Sequence, residues 1–261
     1  MAPPADPAAL AADMRARLRE GAVPGRAETE KRYLRSGLEH VGVPLPAMRA
    51  LVKAVLRAHP GLSRDQAVRT AEELWARPVH EERSLALLLL EGCADRLEPA
   101  DTALLERLLR ECATWAHVDL LAPFVAGRLL LRRPEVAADA LRWAADDAQW
   151  VRRGGLLSFL LPVRREADFA RWFPVFAEAA DPLLGDTRFF VRKAIGWVLR
   201  EGTKHHPGTV ADWLAPRLDR LSGLTLREAA RRLPDDQRAG LLSAHAALNP
   251  RGGRAGVSGR V

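Results

Sequence analysis

The sequence predicts an all-α protein, an α-solenoid of antiparallel helix pairs, and three observations carry that prediction. Strand signals are nearly absent: β-branched residues are sparse, no Asn-Gly or Asp-Gly turn occurs, and Ala, Leu, Arg and Glu dominate. Helix-period apolar segments recur instead, with Pro, Gly or Asp between them. The segments and their connections are short and carry no coiled-coil heptads, the pattern of helix pairs stacked on one another. The pairs return at about 35–40 residues, a degenerate version of the HEAT-type period.

The punctuation sets each element. The first helix, 8–20, runs from behind Pro7 to Gly21, and the second, 27–41, from behind Pro24-Gly25 to Gly42. A third, 45–58, lies between Pro44 and Pro60-Gly61. The fourth, 64–76, opens on SRDQ at 63–66, a capping box in which a hydroxyl and an amide satisfy orphan amides at a helix start. Pro78 separates it from 80–96, whose LALLLL run at 85–90 is far too short to cross a bilayer. Segments 100–112 and 115–132 follow, the latter ending before Pro134; 135–145 closes at Asp146-Asp147. Then 148–160 ends ahead of Pro162, 166–179 stops before Asp181-Pro182, and 187–203 follows Gly185-Asp186. Pro207 starts 207–220, TLRE at 225–228 repeats the capping-box pattern before 225–233, and Pro234-Asp235 lead into 236–247. Residues 1–248 are expected to form one HEAT-like domain, and the Gly-rich, basic stretch 249–261 a disordered tail.

The chain has 261 residues, is 48% hydrophobic and carries a formal charge of +7, so it can bury a substantial core and suits an anionic partner. Its two cysteines, Cys93 and Cys112, build neither a disulfide framework nor a Cys-x-x-Cys metal signature. The N-terminal stretch lacks the apolar core of a signal peptide, and a cytoplasmic, reducing compartment with no membrane association is expected. No metal-ligand cluster or nucleotide-binding loop is visible.

Positive charge is clustered. Arg pairs stand at 132–133, 152–153, 164–165 and 231–232, with Arg188, Arg192, Lys193, Arg200 and Lys204 between the last two. They fall near helix ends, which in a solenoid line up, predicting a concave basic face on which backbone phosphates dock. In TRFFVRKAIGWVLRE, 187–201, the residues Phe190, Ala194 and Trp197 follow a core stripe, yet Lys193 sits one turn before Trp197. Spacing favours core for Phe190; for Trp197 both core packing and a stacking platform beside phosphate fit. Trp115 and Asp119, in ATWAHVDLL at 113–121, share a helical face one turn apart. A core Trp beside a locally capping Asp fits that spacing, and so does a carboxylate held against aromatic walls. His117 points away from Asp119 and reads as structural rather than catalytic.

These stretches resemble the AlkD-type DNA glycosylases of the HEAT-like repeat class. FFVRKAIGWVLRE at 189–201 is the most specific match; EKRYLRSGLEHVGVPLPAMRALVK at 30–53, ELWARPVHEE at 73–82 and TWAHVDLLAP at 114–123 match earlier segments, and the similarity spans roughly 28–235 in order. The resemblance implies a monomeric hydrolase of base excision repair, excising 3-methyladenine and 7-methylguanine from duplex DNA without flipping the base into a deep pocket. Asp119 corresponds to the catalytic carboxylate, and Trp115 and Trp197 to the two Trp flanking the lesion's deoxyribose. Arg153 matches an Arg at the DNA backbone, Tyr33 an aromatic near the lesion, and Phe189 and Phe190 the paired Phe. With Arg192 and Lys193 these form the expected DNA-binding set.

The chemistry needs no metal or cofactor. An alkylated purine already carries positive charge and leaves without a general acid, so a fixed carboxylate near the sugar stabilises the oxocarbenium character, and electron-rich Trp faces favour the same cation. A site without a snug base pocket could also accept bulky minor-groove adducts. Two departures stand out: Ala116 and His117 occupy positions where the family often has a second acid, and Gly154-Gly155 replace small helix formers and are expected to loosen that helix. A non-catalytic solenoid binding distorted or branched DNA is the alternative, since it would keep the basic face without the chemistry.

Overall fold

The computed structural model describes residues 6–250, and among them every regular element is helical; one isolated backbone bridge, Glu39 to Val79, belongs to no strand. The α-helices are α1 (Pro7–Glu20), α2 (Arg26–Leu34), α3 (Leu45–Ala58), α4 (Arg64–Trp75), α5 (His80–Gly92), α6 (Thr102–Arg110), α7 (Trp115–Leu121), α8 (Gly127–Arg132), α9 (Ala137–Ala144), α10 (Gln149–Ser158), α11 (Leu160–Arg164), α12 (Glu166–Ala180), α13 (Phe189–Gly202), α14 (Pro207–Leu214), α15 (Gly223–Ala229) and α16 (Asp235–Leu248). The all-α architecture is as expected. By its contacts the chain divides into two compact units, Met1–Ala137 and Ala138–Val261. No described helix is long and apolar enough to cross a membrane.

In the first unit α5 is the central element, packed by α4, α3 and α7. Its LALLLL run is buried on all sides, and a helix apolar around its circumference needs partners on every face. α4 and α5 are joined by only residues 76–79, which makes them an antiparallel pair. The capping box at 63–66 forms as expected: Ser63 Oγ accepts from the Gln66 amide at 3.2 Å and Gln66 Oε1 accepts from the Ser63 amide at 2.9 Å.

The second helix is shorter than the expected 27–41. It stops at Leu34 because Arg35 enters the left-handed region (φ 49°) and the Ser36 amide closes back on the Lys31 carbonyl. The segment beyond is extended and pinned to the start of α5: the Glu39 amide donates to Pro78 and the His80 amide to Glu39. Gly42 turns it at φ 86°, where an added Cβ would stand 2.9 Å from the Ala27 nitrogen. The fully buried Glu81 carboxylate then accepts from the amides of Val41 (2.9 Å), Gly42 (2.6 Å) and Val43 (3.3 Å).

In the second unit α13 packs against α10, α11 and α15 around buried Phe159, Phe176 and Trp172. Two expectations are corrected here. The Gly154-Gly155 pair does not loosen its helix: a Cβ on Gly155 would lie 2.2 Å from the Ala144 nitrogen, so glycine permits a close approach of α9 and α10. TLRE at 225–228 is not the capping box, because α15 begins earlier: Ser222 Oγ caps the Thr225 amide at 3.0 Å, and Glu228 instead holds Lys193 and Arg200. Pro162 sits in the first turn of a separate short helix, α11, where its missing N–H costs nothing. Asn249 donates to Leu218 and His245 carbonyls; the rest of the expected tail, from 251 on, lies outside the described residues.

Candidate functional site

Thr114 precedes α7 in extended conformation, so Trp115 is the first helical residue and Asp119 follows one turn later. The helix buries His117, Val118, Leu120 and Leu121 and leaves Trp115, Ala116 and Asp119 half-exposed, so Trp and carboxylate share the outward face. Four residues beyond Asp119 stands Pro123. It has no N–H to give the Asp119 carbonyl and its ring would clash there, and the backbone widens to a π-helical stretch over Ala122–Ala126 before continuing as α8. Tyr33 of α2, 73% exposed, meets Trp115 edge-on at 5.9 Å between ring centroids and 84° between planes. The first unit thus brings together three of the residues singled out in the sequence.

His117 is structural. Its ring is fully buried, Nε2 lies 3.1 Å from the His80 carbonyl oxygen, and it stacks on His80 at 4.6 Å, which stacks in turn on His40 at 4.6 Å. Burial foremost, then the neighbouring His80, Arg83 and His40, pushes the His117 imidazole down to about 3, with only its contact to the His80 carbonyl opposing. Between about 6.5, where the unfolded imidazole titrates, and the folded value, only the unfolded chain takes the proton. Stability is therefore full above about pH 6.5 and falls with pH below it, by roughly 2 kcal/mol at about pH 5 from this residue. Urea midpoints across this range should show the fall, and His117→Phe should flatten it; an unchanged pH slope in the variant contradicts the assignment. Cys93 and Cys112 are buried free thiols, each pushed up by burial and inert.

In the second unit the core stripe of α13 is Val191, Ala194, Ile195, Val198 and Leu199. Phe190, expected in the core, is only half-buried, and Trp197 likewise faces outward in part. Phe189 is 55% exposed and meets Phe190 edge-on at 5.2 Å. Trp150, which sequence reasoning passed over, packs on Phe190 at 5.0 Å; its signal was its place three residues before Arg153 on one helical face. Arg153, expected at the DNA backbone, is 4% exposed: it donates to the Phe190 carbonyl at 2.6 Å, with its guanidinium 5.8 Å from the Phe190 ring. Arg192 donates to the Asp186 carbonyl, and Lys193 and Arg200 bracket Glu228.

Much of the clustered positive charge is matched locally. Arg132 and Arg133 pair with Glu98, Arg152 and Arg188 with Asp186, Arg164 and Arg232 with Glu201, and Arg165 with Asp168. Two Arg on Asp186 hold its carboxyl far below the usual range, Arg188 contributing most. Sequence clustering registers the arginines but not the acids that the fold carries to them.

A family model described as DNA alkylation repair enzyme matches residues 14–233. Among solved structures, the chain is similar to a predicted DNA alkylation repair enzyme from Enterococcus faecalis, at TM-score 0.70 and 22% identity over 82% of this chain and 97% of that one. It is also similar to AlkD2 from Streptococcus mutans, at TM-score 0.56 and 15% identity over 78% and 98%. At these identities the likeness is one of fold. Among curated proteins none matches in sequence.

Proposed function

The chain belongs to the DNA alkylation repair enzyme family, and from that premise we propose that it is a DNA glycosylase releasing positively charged N-alkylated purines, 3-methyladenine and 7-methylguanine among them, from duplex DNA. The observation that carries this reading is the outward face of α7, where Trp115 and Asp119 stand one turn apart with Tyr33 edge-on against the Trp.

A cationic purine is already a good leaving group, and the developing charge sits on the sugar. The Asp119 carboxylate stabilises that charge and orients the attacking water, and its half-exposed position suits a sugar presented from outside. The Trp115 face adds cation stabilisation, with Tyr33 beside the lesion. In the second unit Trp197 and Phe189 present aromatic surface to DNA, Arg192 and Lys193 serve phosphates, and Arg153 supports Phe190 from beneath. Chemistry directed at the sugar needs no snug base pocket, which extends the substrate class to bulky adducts.

Abasic-site formation tests the reading: duplex treated with a methylating agent should break at purine positions after incubation with the protein and alkali. Binding without breaks would favour a non-catalytic DNA-binding protein. DNA affinity should also fall linearly with salt on logarithmic axes, with little sequence preference. Lys204 and Arg231 are exposed and make no ion pair among the described residues; changing either to Ala should lower the salt slope by about one if it meets a phosphate. Affinity insensitive to salt would remove the electrostatic interface.

A further inference from the structure

No metal-ligand cluster is visible along the sequence, but the fold of the first unit gathers one. Glu30 on α2, His40 in the extended segment and Glu81 at the start of α5 each place a donor atom within 4.8 Å of the others. Their spacing of 10 and 41 residues is invisible as a motif, because the left-handed turn at Arg35 is what folds His40 back over α5.

The cluster has polar atoms that lack partners. Both ring nitrogens of His40 and Oε2 of Glu30 are shielded from water and have no hydrogen-bond partner among the described residues. Glu30 Oε1 accepts from Arg26 at 3.3 Å, and the Glu81 oxygens accept the three amides of residues 41–43, which leaves lone pairs on each carboxylate. Orphaned polar atoms of this kind are costly and call for a missing partner. The two carboxylates also face one another, with donor atoms within 4.8 Å and only the Arg26 contact at Glu30 set against their repulsion. A positive charge between them would remove the repulsion and satisfy the imidazole at once.

We propose that Glu30, His40 and Glu81 form a binding site for a divalent transition-metal ion, of which Zn²⁺ is the best-matched representative. An imidazole nitrogen with two carboxylates favours this class over Mg²⁺ and Ca²⁺, which take oxygen donors. Ligand distances of about 2.0–2.2 Å require the donors to close in, a movement the flexible Glu30 side chain can supply, with water completing the shell. The ion's role is structural. It ties α2, where Tyr33 lies one turn from Glu30, to α5, and His40 stacks on the His80–His117 column that backs α7. Binding therefore fixes the Tyr33–Trp115 contact and is independent of the glycosylase reading.

The test is calorimetric titration of the chelator-stripped full-length chain at neutral pH with Zn²⁺, Mn²⁺ and Mg²⁺, alongside thermal melts. The expected result is one Zn²⁺ per chain at micromolar or tighter affinity, weaker Mn²⁺ binding, no Mg²⁺ binding, and a higher melting temperature with Zn²⁺. Removing even a group that only hydrogen-bonds to a metal ligand weakens metal sites by about 10–100-fold, so Glu30→Gln and His40→Gln should each cost at least that much. Melts of both variants in chelator report their folding, and a Co²⁺ titration of the unaltered chain, read by its visible d–d absorption, probes the ligand set without any substitution. Absence of saturable Zn²⁺ binding, or undiminished binding in folded Glu30→Gln and His40→Gln, overturns the proposal.

Discussion

Asp119→Asn is expected to slow single-turnover release of 7-methylguanine by about a hundred- to a thousand-fold, the equivalent of about 2.7–4 kcal/mol of lost electrostatic stabilisation. Asparagine keeps the shape and the hydrogen-bonding capacity and removes only the charge. The helix should not change, because Asp119 lies on the outward face of α7 while Val118 and Leu121 hold the inward one. DNA affinity should be unchanged or slightly higher, since a carboxylate repels phosphate in the ground state. Trp115→Ala should cost less in rate and should also weaken lesion binding, since its role is shape and cation stabilisation. A rate for Asp119→Asn within a factor of about two of the parent would mean that the carboxylate is not catalytic.

Gly155→Ala is expected to destabilise the second unit by about 1–3 kcal/mol or more, despite alanine's helix propensity. In an open helix interior the same change stabilises by about 1 kcal/mol. Here the added methyl meets the Ala144 nitrogen at 2.2 Å and the Ala140 carbonyl at 2.5 Å, and backbone atoms cannot rotate away as a side chain can. α10 would shift from α9, and Arg153, two residues earlier, would move with respect to Phe190. Gly240 supplies the control: it is exposed in the interior of α16 with nothing near its would-be Cβ, so Gly240→Ala should stabilise. Urea melts that show both substitutions stabilising would contradict the close approach.

The legible features are those written in consecutive residues. Helical spacing sets Trp115 and Asp119 on one face, and the all-α architecture follows from periodicity broken by Pro and Gly. What was not legible depends on pairings far apart in the chain. The histidine column joins residues 40, 80 and 117; Glu228 reaches back to Lys193 and Arg200; Glu81 collects the amides of residues 41–43. No local propensity encodes these long-range pairings. The core assignment of Phe190 failed for a related reason: its spacing fits a buried stripe, but Val191 and Ile195, one position on, take the inward face. Two local signals mark the remaining differences. Ser36-Gly37 lies inside the over-long second helix, and Pro123 lies inside the segment expected to be one regular helix over 115–132.

The most direct test is to identify what the protein releases from alkylated duplex DNA. Under single-turnover conditions, with mass spectrometry of the small-molecule fraction and of the digested DNA, the account predicts free 7-methylguanine and 3-methyladenine in amounts equal to the abasic sites formed. Alkylated purines remaining in the DNA, or unmodified purines restored in place with no abasic sites, would contradict it.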